Sequence, residues 1–360
     1  MSDFYKKFLL DDLRRSRSDA PPSVYLGAFG KHPGWDDHIE DLGLDTDSLI
    51  FAKTLLYVQG IGGQIDSGTW EKLDPSQKLP EFKHMFLWSR GNQCLIGRLW
   101  SSSDGKGRTR YPMVICAHVA GLPAISALNL VLPHLERIEQ ACLLTQSAAE
   151  VRSILDRSRA ELQNGSVGWA GTALNSPTPP ELAAFVASPQ LGPDREGWLR
   201  ILYQMQNQCG AFARGRFTTR GDLGALRPEH FRLPVGTAPA RALLLWSRFF
   251  LSRIDPAVPL MLIAPLEEAW IDAILGEPTP QEVFCLRAGT KALPLATEVP
   301  YTMDDDFRRQ AHSALDLFQA SSNSPDPTGA GEREGFSTST IGYAKQKLMK
   351  WFGAGPDRSN

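Results

Sequence analysis

The chain reads as an α/β (α+β) protein, an antiparallel or mixed sheet flanked by helices. Three observations predict this. Apolar runs of strand length at 24–29, 82–88, 93–100 and 111–119 are bounded by Gly, Pro and Asn. Longer stretches with apolar residues at helical spacing lie between and after them. The 360 residues are too many for one comfortable core and about right for two domains.

The first strand, 24–29, stops where Gly30, Pro33 and Gly34 impose a turn. From Thr46, the positions Leu49, Ile50, Ala52, Leu55, Leu56 and Val58 describe an amphipathic helix. Asp45, Thr46 or Asp47 caps its start, and the cluster Gly60, Gly62, Gly63 ends it. Runs 82–88 and 93–100, separated by Ser89-Arg90-Gly91-Asn92, predict a hairpin, and 111–119 a further strand behind a glycine-rich loop. Helical patterns follow at 124–144 and 148–162, so the first half reads as an antiparallel meander covered by helices on one or both faces.

In the second half, 180–187, 198–209 and 240–254 are helical in pattern, 259–264, 270–275 and 283–286 read as strands, and 303–318 as a helix. The order helix, strand, strand, loop, strand repeats that of the first half, which raises the reading of two related α/β modules. The expected organisation is an N-terminal arm (1–23), a first α/β domain (24–165), a second (180–318), a disordered linker (319–340) and a C-terminal amphipathic helix (341–360). In the last, Ile341, Ala344, Leu348, Met349, Trp351 and Phe352 are interleaved with Lys345, Lys347 and Lys350.

Composition narrows the function classes. Hydrophobic residues at 42% and charged at 22% are those of a soluble globular protein. A net charge of -2 predicts no general attraction to nucleic acid or to anionic membranes. No window reaches the roughly 20 apolar residues of a membrane span. The first dozen residues carry charge on both sides of a short apolar patch, unlike a signal peptide, so the expected location is cytoplasmic. Cys94, Cys116, Cys142, Cys209 and Cys285 are odd in number, widely spaced and free of CxxC patterns, which predicts buried thiols and no disulfide framework.

Chemistry-bearing residues concentrate in two stretches. Lys31, His32, Asp36, Asp37, His38 and Glu40 crowd the turn after the first strand. Gly27-Ala28-Phe29-Gly30-Lys31 is similar to a phosphate-binding loop but lacks its spacing, and Pro33 removes an N–H such a cradle would use. The second stretch, 102–112, sets Asp104 among Lys106, Arg108 and Arg110 on a backbone loosened by Gly105 and Gly107. Its arginines suit an anionic or acidic partner; the plainer reading is a solvated turn whose aspartate caps backbone amides. If both loops lie at one end of the sheet, Asp37 or Asp104 fixes Arg108. His84, His118 and His134 sit in apolar or amphipathic segments as packing residues. No GxSxG, HExxH or Cys/His pair of catalytic context is present.

Taken together, the two stretches resemble the type VI secretion-associated TagF family over about residues 24–140. Gly27, Phe29, Gly30, Lys31, Pro33 and Asp37 match its first strand-and-turn pattern. Ser102, Asp104, Gly107, Arg108 and Pro112 match its later loop, with one extra residue before the proline. Trp35 and Asp36 stand where the family has Arg-Gly, and His38 replaces an aromatic residue. The resemblance implies a bacterial, cytoplasmic, non-enzymatic α/β protein that restrains type VI secretion after translation, through contact with a forkhead-associated scaffold protein. It needs no cofactor or metal. Gly30, Lys31, Pro33, Asp37, Asp104, Gly107 and Arg108 are then the residues that bind the partner or fix the loops. Two other readings remain: a metal-dependent hydrolase built on Asp36, Asp37 and His38, and an adaptor docking through its C-terminal helix.

Overall fold

The computed structural model describes residues 22–169, 194–213, 226–236 and 239–322. The expected arm (except its last two residues), the helix at 180–187, the linker from 323 on and the C-terminal helix lie outside them.

Seven strands form one antiparallel sheet in the order β1-β4-β3-β2-β6-β7-β5. They are β1 (Ser23–Gly30), β2 (Lys83–Arg90), β3 (Gln93–Ser101), β4 (Pro112–Ala120), β5 (Glu229–Pro234), β6 (Leu260–Pro265) and β7 (Trp270–Leu275). Strands from both sides of residues 165–180 share this sheet, because β2 pairs with β6 from His84↔Pro265 to Ser89↔Leu260. The hairpin β2–β3 turns through Gly91 at φ +59, a conformation that glycine adopts without strain.

Both faces are covered, which explains the near-continuous apolar runs of the central strands. One face packs against α2 (Ala124–Leu143), α3 (Ala148–Trp169), α4 (Arg195–Cys209) and α5 (Pro239–Leu251), and α6 (Asp305–Ser322) packs on α4 within the same core. The other carries α1 (Asp47–Ala52), which continues as a π-helix over Lys53–Gly62 and closes in a turn at Gly63–Asp66. Thr46 caps α1 by accepting from the Leu49 amide. The expected single amphipathic helix is therefore wound partly as π, a form concentrated at functional sites.

One row of residues crosses the whole sheet on the α1 face: Gly27, Cys116, Gly97, Phe86, Ile263, Asp272 and Arg232. Gly97 leaves room for a ring, since a Cβ there would stand 2.1 Å from Phe86 Cζ. The row ends in an ion pair instead of apolar packing. The strand orders of the two halves echo each other, yet α1 covers one face and α5 the other. A two-fold axis between antiparallel neighbours would keep both helices on one face, so the two halves do not share layers, and the last strand of the repeated order is missing from the second.

Two expectations for the second half are corrected. Segment 283–286 is not a strand but a 3-10 turn over Glu282–Leu286. Glu282 accepts from the Thr279 amide and hydroxyl, and its own amide donates to the Thr279 carbonyl at 3.2 Å; this turn leads into the winding that buries Val283, Cys285 and Leu286. Strand β5 carries no strand signal in the sequence, because Glu229, His230, Arg232 and Pro234 break the apolar pattern of an edge strand.

Candidate functional site

β1 delivers the first polar loop and β4 receives the second, and β1 pairs with β4. Their adjacent ends therefore bring the two loops side by side. Gly30 makes the junction at φ +110; a Cβ there would lie 2.2 Å from the Pro112 carbonyl oxygen. The Lys31 amide donates to that oxygen at 3.1 Å, and the Ile39 amide returns to the Gly30 carbonyl at 2.7 Å. Across the seam, the Gly105 amide donates to the Trp35 carbonyl at 2.7 Å. The Pro33 carbonyl would stand 3.0 Å from a Cβ on Gly105.

Asp104 organises the second loop. Its Oδ1 accepts from the Lys106 and Arg108 amides, each at 3.0 Å, while the Gly107 amide donates to its carbonyl at 2.9 Å, with Gly107 at φ +76. Its Oδ2 accepts from Arg108 Nε and from Lys31 Nζ, both at 2.6 Å. Lys31 Nζ also donates to Asp37 Oδ1 at 3.0 Å. Arg108 Nη2 reaches the Asp36 carbonyl at 2.9 Å and lies 3.2 Å from Asp37 Oδ1. Both aspartates thus contact Arg108.

Burial divides this network. The Lys31 and Asp104 side chains are 4% and 0% exposed, whereas those of Arg108 and Asp37 are 52% and 67% exposed. The inner pair pins the loops and the outer pair faces water. Burial pushes the Asp104 carboxyl up, but Lys31, Arg108 and the two amides outweigh it and hold the group well below the usual carboxylate range. The Lys31 hydrogen bond, with Arg108 and His38 nearby, also draws Asp37 below its ordinary value.

Several contributors carry no signal in the sequence. His32 accepts from the Gly34 amide at Nδ1, which leaves Nε2 protonated to donate to the Cys142 carbonyl at 3.1 Å. Burial lowers its pKa, so the ring is neutral and ties the turn to the end of α2. Tyr57 of the π-helix and Tyr111 pack against His38 with ring centroids 5.8 and 5.2 Å away. The Tyr57 hydroxyl is buried without a hydrogen-bond partner. Nothing in their local spacing marked these aromatics; the fold assembles them from three segments.

Asp36, Asp37 and His38 do not converge as a ligand set. His38 Nδ1 is 3.0 Å from Asp37 Oδ1, but Asp36 contributes its backbone carbonyl to Arg108. Among the described residues, metal-ligand spacing occurs elsewhere, at His230, Asp272 and Cys285. His84 and His118 are buried, as expected for packing residues. Among the described residues no helix is long and apolar enough to cross a membrane.

Compared with models of known protein families and with curated proteins, the chain matches none. The resemblance therefore rests on the two loop motifs and their residues.

Proposed function

We propose that this protein is a non-enzymatic regulator that works by protein contact, using the paired loops around Lys31, Asp37, Asp104 and Arg108. The observation that carries the reading is the division of the network. A buried Lys31–Asp104 couple makes two loops rigid, while Arg108 and Asp37 present opposite charges at the surface. Rigid loops carrying exposed charge suit specific recognition, because little order is lost on binding. Exposed Lys106 and Arg110 flank Arg108 and favour a partner surface with acidic groups.

The loop motifs resemble the TagF family, and the reading extends accordingly to a cytoplasmic restraint on type VI secretion that contacts a forkhead-associated scaffold. The engaged acidic and basic groups neutralise one another, which supports recognition over general acid-base work.

The test is recovery of partners from the native cell with wild type, Arg108→Ala and Asp37→Ala. Secretion-system components recovered with wild type and lost with folded variants support the proposal. Undiminished recovery with both variants, or a wild type that brings down no such component, rejects it.

A further inference from the structure

We propose that His230, Asp272 and Cys285 bind one transition-metal dication of the zinc class. The three come from different elements: the edge strand β5, its neighbour β7 and the turn Glu282–Leu286. Their candidate ligand atoms all lie within 4.8 Å of one another. His230 Nε2 stands 2.8 Å from Asp272 Oδ1. Two donors at about 2.0–2.1 Å from a tetrahedral ion are about 3.3 Å apart. Opening this hydrogen bond by a fraction of an ångström therefore admits an ion in place of the shared proton. Imidazole, carboxylate and thiolate together select zinc-like ions over calcium or magnesium, which prefer oxygen donors throughout.

Arg232 is the strongest objection, and the lone-pair count answers it. Its Nε and Nη2 donate to Asp272 Oδ1 and Oδ2, each at 2.9 Å. A carboxylate offers about four acceptor positions. Arg232 uses two, and the ion takes the one that His230 vacates. An outer hydrogen bond of this kind orients a ligating carboxylate. The dication, the Asp272 carboxylate and the Cys285 thiolate sum to zero charge, so the loaded cluster carries the single positive charge of Arg232. The guanidinium keeps its own partners, the carbonyls of Ala288 at 2.8 Å and Leu293 at 3.0 Å.

Loading forms a metal–sulfur bond, breaks the Cys285 S–H bond and releases that proton to solvent. His230 ligates through Nε2, and water fills the fourth position. His230, with its side chain 20% exposed, is the entry side; Asp272 and Cys285 are buried. The ion would clamp an edge strand to the body of the sheet.

The test uses the full chain purified without an affinity tag, stripped with chelator and titrated with zinc alone or cobalt alone. Expected are one zinc per chain, a raised Tm, and a thiolate-to-cobalt charge-transfer band. Cys285→Ser removes the band, and His230→Gln and Cys285→Ser each weaken zinc by more than about tenfold, the low end for loss of even an outer partner. Asp272 is left intact, because its loss would strand buried Arg232. Failure of the folded chain to take up stoichiometric zinc overturns the proposal, as does a cobalt band that survives Cys285→Ser. Should that variant not fold, unchanged zinc affinity in His230→Gln overturns it equally.

Discussion

Lys31 Nζ meets Asp104 Oδ2 at 2.6 Å across 73 positions of sequence, with both side chains withdrawn from water. This contact, more than any exposed charge, joins the two loops. Lys31→Met keeps the apolar stem and deletes the ammonium. Arg108 still serves Asp104, so the expected loss of unfolding free energy is at the low end of the roughly 3–5 kcal/mol seen when one member of a buried pair is removed. Urea unfolding followed by circular dichroism measures it, and wild-type stability in Lys31→Met would show the pair to be dispensable.

Arg108→Ala removes a half-exposed partner of the same carboxylate while Lys31 stays in place. The expected cost is about 1 kcal/mol or less, the range of exposed ion pairs. A thermal melt of Arg108→Ala beside Lys31→Met tests the ordering. A larger shift for Arg108→Ala would reverse the assignment of inner and outer members.

Gly30 is the hinge that sets the loops against each other. At φ +110, with the Pro112 oxygen 2.2 Å from where a Cβ would sit, Gly30→Ala carries both backbone strain and a clash with main chain. The strain alone costs about 1–3 kcal/mol. Gly91→Ala, at φ +59 with open space around it, meets no clash and should destabilise less. Equal melting temperatures for the two would refute this account.

Acid should destabilise the fold in two stages. Burial pushes His84 down to about 3 from its ordinary 6.5, so the folded protein favours the neutral ring. The stability it contributes is complete above about 6.5 and is lost as pH falls toward 3, at up to about 1.4 kcal/mol per pH unit. Asp104, held low by Lys31 and Arg108 against the effect of burial, contributes stability that is complete above its ordinary 3.8. That share is lost only as pH falls below this value. Unfolding free energies measured from pH 7 to pH 2 should show both phases, with His84→Leu flattening the first and leaving the second.

The thiols should be inert in the folded state. Burial pushes Cys94, Cys142 and Cys209 each up to about 12, and raises Cys116 and Cys285 further above the ordinary range. Thiolate is the reactive form. A disulfide reagent at pH 8 should label none of the five before unfolding, and rapid labelling of native protein would contradict the placement.

Local spacing along the chain carries a record of periodic burial. It marked β1 to β4, β6 and β7, the helices α2 to α6, and the two loops in which Lys31, Asp37, Asp104 and Arg108 gather. It did not reveal β5, whose Arg232 and Asp272 partner replaces apolar alternation with an ion pair closed only in the folded chain. Nor did it show Cys285 on a helical turn, which follows the turn closed by Thr279 and Glu282. The folded chain pairs β2 with β6, sets α1 and α5 on opposite faces, and brings Lys31 to buried Asp104 as well as to exposed Asp37. The physical reason is common to all of these. Strand neighbours and charge partners are chosen by which distant groups can satisfy one another once water is excluded, and spacing along the chain holds no term for that choice.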